Sequence, residues 1–294
     1  LARPMSEIRI GVIGDLHTHW DDVDVVQFNR SQYDLLIFIG DLGGGTADSS
    51  LRIARSISRL TKEALVIPGN NDVGDMAELA AELVHRSGLQ KLASLRTGTG
   101  HREPIRLCGY STHRLTSDST DLTLLVGRPH SLGGAELSYP SYMSSNYGID
   151  SMDQSIDRLC ALVDEVETDN LVFFSHTGPT GLGDAPADMW GCDFKPGGGD
   201  WGDPDLERAI EHALNRGKRV LAVVAGHMHL RTKHGPERDW ITERHDILYV
   251  NTARVPRIFA GDDDLHRHHV ALTVRADGVS VEEVVVPQSQ PAAG

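Results

Sequence analysis

The chain is poor in cysteine and aromatic residues, and it lacks a long apolar run. The 294 residues include three cysteines, Cys108, Cys160 and Cys192, with no Cys-x-x-Cys pair. This pattern disfavours a thiolate zinc site and predicts a reducing, cytoplasmic setting. No apolar run reaches the ~18 residues that a membrane-spanning helix requires, and no basic-then-apolar signal pattern opens the chain. We therefore expect no membrane partner.

Positive charge is also scarce. Lys and Arg number 28 against 42 Asp and Glu, so the formal net charge is −14. Such a surface repels polyanions, and because no basic stretch with interleaved aromatics is present, a nucleic-acid partner is not expected. With 39% hydrophobic residues and no repeat or composition break, residues 5–286 are predicted to form a single domain. Residues 1–4, before Met5, could be a cloning remnant, and residues 287–294 are predicted to be a loose tail.

Apolar strands and amphipathic helices alternate along the first third of the chain. Buried strands are predicted at Ile8–Ile13, Leu35–Ile39 and Ala64–Ile67, because each is a short, continuous apolar run. This alternation predicts a layered α/β sheet with helices on its faces. The intervening helices are predicted over Asp21–Asn29, from Asp48 or Ser49 to Leu60, and from Asp75 to about Arg86, before Gly88.

The rest of the chain continues the pattern and ends in antiparallel strands. A long amphipathic helix is predicted over Ser151–Glu167, and Asp203-Pro204 opens another that extends to Asn215. Ala276-Asp277-Gly278 is predicted to be a hairpin turn. The predicted strands are Ile105–Gly109, Leu122–Val126, Leu171–Phe174, Val220–Ala225, Ile247–Val250, His269–Arg275 and Val279–Val286.

Polar side chains follow five of the apolar strands, at the point where each strand ends. Carboxylate, amide and imidazole groups bind first-row metals, and ligands gather beyond the carboxyl ends of strands in α/β sheets. A bridging carboxylate allows two cations to approach to ~3.5–4 Å. These residue types suit manganese, iron, zinc or cobalt better than magnesium alone. The side chains in question are Asp15, His17, Asp41, Asn70, His176, His227 and His229.

The ordered set of motifs resembles the calcineurin-like metallophosphoesterases. The motifs are Asp15-x-His17, Gly40-Asp41, Gly69-Asn70-x-Asp72, His176 and Gly226-His227-x-His229. The resemblance implies a four-layer αββα sandwich of two mixed sheets with helices outside. Segments 127–131, 175–183, 191–193, 202–206 and 251–257 further resemble a branch found in cyanobacteria and plants, which fixes no substrate.

The resemblance also implies a role for each motif residue. Asp41 would bridge two metal ions, and in the family a hydroxide held between them attacks phosphorus in line. We therefore expect a binuclear phosphoesterase that hydrolyses a small phosphorylated molecule, either a monoester or a diester. One ion would be bound by Asp15, His17 and His229, and the other by Asn70, His176 and His227.

One position departs from the family pattern. Gly69-Asn70-Asn71-Asp72 stands where the family has Gly-Asn-His-Asp, and an Asn cannot deliver a proton to a leaving group. General acid help is worth roughly 10²–10⁴ in rate. Three alternatives follow: the leaving group needs no acid, another imidazole substitutes, or activity is weak and binding matters more. The candidate substitutes are His19, His113 and His130.

Further catalytic candidates sit near the predicted strand ends. Arg128 and His130 could face the site, as could His113 and Arg114, while Arg254 and Arg257 could contact substrate or brace their loop. Asn71 and Asp72 are kept as catalytic candidates, although Asp72 could have only a structural role. The acidic, Gly-rich stretch at 184–203 could be a lid or a solvated loop with acidic turn residues.

Two other functional classes compete with the phosphoesterase. An eroded relative could serve as a metal-containing protein-binding scaffold, and a nuclease is less favoured because of the negative charge. The substrate, the native metals and the oligomeric state are left open.

Overall fold

Two β-sheets pack face to face at the centre of the fold, in a computed structural model that describes residues 7–72, 74, 76–83 and 105–288. The first sheet has the order β11-β12-β1-β2-β3-β4, with β13 also paired to β12. Its strands are β1 (Ile8–Ile13), β2 (Leu35–Phe38), β3 (Ala64–Val66), β4 (Ile105–Leu107), β11 (Ile258–Ala260), β12 (Leu265–Arg275) and β13 (Gly278–Pro287).

The second sheet has the order β5-β6-β7-β8-β10-β9. In both sheets the central strands are parallel and the edges include antiparallel pairs, so both sheets are mixed. The strands are β5 (Ser111–Thr116), β6 (Asp121–Val126), β7 (Asn170–Thr177), β8 (Arg219–Gly226), β9 (Ile241–Arg244) and β10 (Ile247–Asn251).

Helices cover the outer face of each sheet. Helices α1 (Asp22–Arg30), α2 (Ala47–Ile57) and α3 (residues 76–83) pack on the first sheet through residues such as Phe28, Ile53 and Leu79. On the second sheet lie α4 (Pro140–Tyr147), α5 (Met152–Glu165) and α6 (Pro204–Asn215). Because both faces of the central strands are buried, these strands are nearly continuous apolar runs. The predicted four-layer αββα sandwich is confirmed.

Most predicted elements differ from the observed ones by a few residues at their ends. Helix α5, for example, begins after Ser151, whose hydroxyl accepts a hydrogen bond from the Gln154 amide. Strand β5 was missed because its sequence, Ser-Thr-His-Arg-Leu-Thr, is largely polar and half-exposed. Helix α4 and strands β9 and β11 were missed as well, because α4 and β9 are short and carry few apolar residues, and β11, although apolar, has only 3 residues.

Some predictions fall partly outside the described residues. Asp75, Arg86 and Gly88, at the predicted ends of the third helix, are among these, as is the predicted remnant at residues 1–4. The tail was predicted to begin at Pro287, but β13 includes that residue. None of the helices in the described part of the chain combines the length and apolarity that crossing a membrane requires.

A buried ionic cluster connects α1 to the first sheet. Asp24 is fully buried and accepts hydrogen bonds from Arg257 at 2.9 Å and from Arg267 at 2.7 Å. Arg257 also donates to the backbone oxygen of His19, in the loop that follows β1. Of the two predicted alternatives for Arg257, this arrangement supports the bracing of a loop.

Removing the Asp24 carboxylate is expected to destabilise the fold strongly. Asp24→Ala would leave the buried guanidinium of Arg257 without its charge partner and that of Arg267 with only the half-exposed Asp21, which costs about 3–5 kcal/mol. The matched control is Asp22→Ala, because Asp22 lies two residues away and forms an exposed pair with Arg59, worth at most ~1 kcal/mol. Urea unfolding measures both, and equal losses in the two variants would contradict the buried-charge explanation.

Buried imidazoles are expected to make the fold acid-sensitive. Burial lowers the pKa of His269 to about 3 from an ordinary value of 6.5, and its ring bonds the Tyr33 hydroxyl at 2.7 Å. Between pH 6.5 and pH 3, His269 is protonated in the unfolded chain but remains neutral in the folded chain. Stability is therefore full above pH 6.5 and falls toward pH 3, by up to ~1.4 kcal/mol per pH unit for this group. In urea titrations at pH 7 and pH 5, His269→Gln should reduce this pH dependence, and an unchanged slope would count against it.

Candidate metal centre

The predicted metal ligands come together at one edge of the two sheets. Asp15 and His17 follow β1, Asp41 follows β2, and His176 lies near the end of β7. His227 and His229 follow β8, the parallel neighbour of β7. The carboxyl ends of these strands meet where the two sheets pack together, so side chains more than 200 residues apart become neighbours.

The side chains form two three-residue groups that could each hold a metal ion. Within each group, the potential ligand atoms lie within 4.8 Å of one another. Asp41 Oδ2 is 3.5 Å from His17 Nε2, and Asp41 Oδ1 is 3.5 Å from His176 Nε2, so this carboxylate lies between the groups. Asn70 Oδ1 lies 2.9 Å from His176 Nε2. The groups are Asp15, His17 and His229, and Asp41, His176 and His227.

Hydrogen bonds fix the imidazole of His176 in an orientation that suits a cation. Its Nδ1 lies 2.7 Å from the backbone oxygen of Ile39, which can only accept, so Nδ1 carries the proton. Nε2 then faces the oxygens of Asn70 and Asp41. In a neutral ring Nε2 carries a lone pair, which would be repelled by the lone pairs of these two oxygens. Either a proton on Nε2 or a cation between the three atoms is therefore required. The donor set fits a bound metal ion.

The charge state of the other imidazoles also suits metal binding. Burial lowers the pKa of His227 to about 3 and of His229 to about 4, and it lowers the pKa of His17. Neutral rings offer the lone pairs that metals require. Nε2 of His227 lies 3.0 Å from the backbone oxygen of Leu132, and donation there leaves Nδ1 as the ligand atom. His17 Nε2 and His229 Nε2 approach to 3.0 Å.

The pKa values of the two carboxylates beside these rings are shifted in opposite directions. Burial raises the pKa of Asp15 to about 7, and its hydrogen-bond donor is the amide of His227 at 3.0 Å. Burial also opposes ionisation of Asp41, but the neighbouring His176 and His17 outweigh it and hold its pKa below the usual range. Asp41 is thus the ionised centre of the cluster.

Several ligand residues adopt a strained backbone. Asp15, His17, Asp41 and His227 have φ of 35°, 41°, 48° and 69°, in the left-handed region that non-glycine residues rarely occupy. Such residues each cost of the order of 1–3 kcal/mol and cluster at functional sites. Gly226, directly before His227, permits a close approach, because a Cβ there would lie 2.2 Å from Asp15 Oδ2.

Asn71 binds the central carboxylate with both its backbone and its side chain. Its amide nitrogen donates to Asp41 Oδ1 at 2.8 Å, and its Nδ2 donates to Asp41 Oδ2 at 2.7 Å. The residue that replaces the family's histidine therefore anchors Asp41. Asp72, buried nearby, accepts from the amides of Leu42 and Gly69, both at 3.0 Å, and so clamps the two ligand loops together.

Two predicted catalytic residues lie away from the cleft, which corrects the sequence-based placement. Arg128 is buried and donates to Asp203 at 2.6 Å and to Asp205 at 2.9 Å. His130 is fully buried, with Nδ1 3.1 Å from the Gly69 oxygen, and burial lowers its pKa to about 4. Both follow a strand, as the ligands do, but their side chains pack into the interior instead of facing substrate.

The other substitutes for the missing histidine are also placed elsewhere. His19 bonds the backbone oxygen of Leu16, and His113 lies within β5, where it bonds Ser111. Arg114 is on the same strand and pairs with Asp121. None of the three predicted substitute histidines occurs among the described residues that line the cleft.

A cleft of about 230 Å³ opens over the metal ligands and contains residues that were not predicted. Phe194, Arg231 and Lys233 line it together with His227 and His229. In the sequence, Arg231 and Lys233 continue the spacing of two residues that separates His227 from His229. This continuation is the signal that could have identified the two cations.

The acidic stretch at 184–203 is organised by its own carboxylates. Asp188 accepts from the amide of Ala185 at 2.8 Å, and Asp200 accepts from Gly181 at 2.6 Å and from Gly202 at 2.9 Å. These side chains stabilise turns. Of the two predicted alternatives, the arrangement favours acidic turn residues over a lid.

Comparisons with solved structures support the fold. One solved chain aligns with a TM-score of 0.56 and 12% identity, covering 94% of this chain and 99% of its own length. TT1561 of Thermus thermophilus aligns with a TM-score of 0.51 and 12% identity, over 94% of this chain and 98% of that one. The support comes from these two structures. GAP50, the anchor in the inner membrane complex of Plasmodium, also aligns, with a TM-score of only 0.49 and 10% identity, over 97% of this chain and 86% of that one, and it adds nothing to that support.

At these identities the structures are evidence of fold alone. A search of the curated proteins found no match. The sequence profile of the calcineurin-like phosphoesterases, however, matches residues 8–231, which is well over half of the chain and includes all of the ligand motifs. The chain therefore belongs to the calcineurin-like phosphoesterase family.

Proposed function

We propose that this protein is a metal-dependent phosphoesterase that uses two ions, of manganese, iron, zinc or cobalt, to hydrolyse a small phosphorylated molecule. The observation that carries the proposal is the position of Asp41, whose two carboxylate oxygens each lie 3.5 Å from an imidazole of a different ligand group, His17 and His176. A carboxylate placed in this way allows two cations to share one ligand. The complete ligand set opposes the alternative of an eroded scaffold, and the charge of −14 opposes a nuclease.

Each residue of the centre has a defined task in this proposal. Two bound ions would activate a water molecule and stabilise the charge that develops on the phosphoryl oxygens. Asp15, His17 and His229 would hold one ion, and Asn70, His176 and His227 would hold the other. Asn71 fixes both oxygens of Asp41, while the hydrogen bond from Nδ1 to Ile39 directs Nε2 of His176 toward the centre.

The residues around the centre indicate which kind of leaving group the substrate has. Asn71 occupies the position of the family's general acid, and it is engaged with Asp41. Arg231 and Lys233 line the cleft and supply positive charge beside the ligands. We infer that the substrate has a leaving group that departs as an anion without protonation, as in an anhydride or an activated ester. We also retain a cytoplasmic setting as a proposal, since all three cysteines are free.

Replacement of the central carboxylate should abolish function. Asp41→Asn keeps the shape of the side chain but removes the charge, and activity should fall by more than ~100-fold. Mutation of residues that only hydrogen-bond to metal ligands already reduces metal affinity or activity 10–100-fold, and loss of a shared ligand should cost more. Hydrolysis of bis(p-nitrophenyl) phosphate and p-nitrophenyl phosphate, together with metal content by elemental analysis, provides the measurement. The exposed Asp157→Asn is the control, and substantial activity retained by Asp41→Asn would contradict the proposal.

Restoring the family's histidine should change the dependence on the leaving group. In Asn71→His an imidazole can protonate a poor leaving group, so hydrolysis of phenyl esters should rise at least ~10-fold relative to p-nitrophenyl esters. Asn71→Ala is the control, because it loses the side-chain contact to Asp41 without adding a proton donor, and it should lower both rates in similar proportion. If the ratio of rates is the same in wild type and Asn71→His, the proposed role of the leaving group is wrong.

A further inference from the structure

A second cleft adjoins the metal centre and has the chemistry of a nucleotide site. We propose that it binds the organic part of a nucleoside phosphoanhydride, with the base on Phe194 and a non-reacting phosphate beside Arg231 and Lys233. This inference rests on the proposed phosphoesterase function and assigns a substrate class to it.

The two clefts are continuous. The second has a volume of about 700 Å³, and it shares Asp193, Phe194 and Lys233 with the cleft over the metal ligands. Its walls are the segments 184–187, 192–199 and 232–236. Together the clefts accommodate a substrate much larger than a phosphate group. Phe194 and Lys233 stand at the junction between the reacting group and the rest of the molecule.

Phe194 is an exposed aromatic ring on a rigid support. Its relative exposure is 45%, although burial is the rule for such an apolar side chain. Trp201 packs edge-on against it with 5.2 Å between ring centroids, and Trp201 Nε1 is held by the Leu132 oxygen at 2.6 Å. A planar aromatic group stacks readily on such a ring, and stacking of bases on aromatic side chains is sequence-tolerant and strong.

Positive charge surrounds the ring in a chain that is otherwise acidic. The ammonium of Lys233 lies 5.7 Å from the centre of the Phe194 ring, and the ammonium of Lys195 lies 5.5 Å from that of Trp201. Arg231 lines the metal cleft next to them. An aromatic platform flanked by cations favours a ligand that combines a base with phosphate groups.

The carboxylates of this cleft do not cancel its charge. Asp193 accepts from the backbone amide of Lys233 at 2.7 Å and lies 3.1 Å from the guanidinium of Arg238. The other lining carboxylate is Asp184, which belongs to the 184–187 wall. Anion binding at Arg231 and Lys233 is therefore compatible with the groups around them.

Arg238 ties the aromatic platform to the metal centre. It donates to the backbone oxygen of His229 at 3.0 Å and pairs with Asp193, the residue before Phe194. Its side chain is buried, so the connection is stiff. The ring and the ligand loop are thereby held at a fixed separation, as a two-part substrate site requires.

The reaction balances without a proton donor. The oxygen of water forms a bond to the terminal phosphorus, and the bond from that phosphorus to the bridging oxygen breaks with its electron pair. The nucleoside phosphate leaves as an anion, inorganic phosphate is formed, and the proton of water passes to solvent. Such a leaving group needs no acid at the position of Asn71, so the substrate class and the departure from the family pattern agree.

Binding can be tested independently of catalysis. We would titrate AMP and ribose 5-phosphate, which differ only in the base, by calorimetry in the presence of a chelator. AMP should bind roughly 5- to 100-fold more tightly, Phe194→Ala should remove the difference, and Phe194→Tyr should keep it. The control is Phe259→Ala, since Phe259 also lies under a cation, Arg254 at 4.9 Å, but outside both clefts. Equal affinities in wild type, or an unchanged preference in Phe194→Ala, would overturn the inference.

Turnover separates this inference from the proposed function. With manganese bound, ADP should be hydrolysed with a lower KM than tripolyphosphate, which has the anhydride but no base, and Phe194→Ala should reduce that preference. Hydrolysis of tripolyphosphate without a preference for ADP would refute the nucleotide site and leave the phosphoesterase standing. Absence of metal-dependent hydrolysis for these anhydrides and for nitrophenyl esters would refute both.

Discussion

The buried carboxylate of Asp41 is the interaction on which the rest of the site depends. It belongs to the first sheet, yet it lies 3.5 Å from His176, which the second sheet supplies, and 3.5 Å from His17. A buried anion is expensive unless charge and hydrogen bonds surround it. Imidazoles, the two donors of Asn71 and the implied cations meet that requirement together, so the packing of the two sheets and the chemistry of the site depend on each other.

The backbone around Asp41 is held in strained, left-handed conformations by the surrounding structure. Ligand residues with positive φ persist only where the surrounding structure over-determines them. Asp72 clamps the loops after β2 and β3, and Asp24 and Arg128 anchor further loops by buried ion pairs. Asp72 and Arg128 were catalytic candidates in the sequence, but their partners show that they hold the backbone in place. A rigid, pre-organised centre is the result.

Asn71 stands where the family has a histidine, so the site lacks a proton donor at this position. Its amide is committed to Asp41, and the nearby His130 is buried and kept neutral. Positive charge in the cleft comes instead from Arg231 and Lys233, next to an exposed aromatic ring. Under the proposed function, the site would stabilise an anionic leaving group rather than protonate one, and the adjoining cleft would hold that group.

Much of the architecture was readable from the sequence. Continuous apolar strands alternating with helices predicted the layered fold, and polar residues directly after five strands predicted the metal ligands, because strand ends and side-chain period are local properties. Tertiary structure decided the rest. Arg128 and His130 follow a strand just as Asp41 does, but long-range partners turn them inward. Phe194 lies in the cleft because Trp201 packs against its ring and because Asp193, the preceding residue, pairs with Arg238. Burial and pairing depend on residues distant in the chain, and no local pattern encodes them.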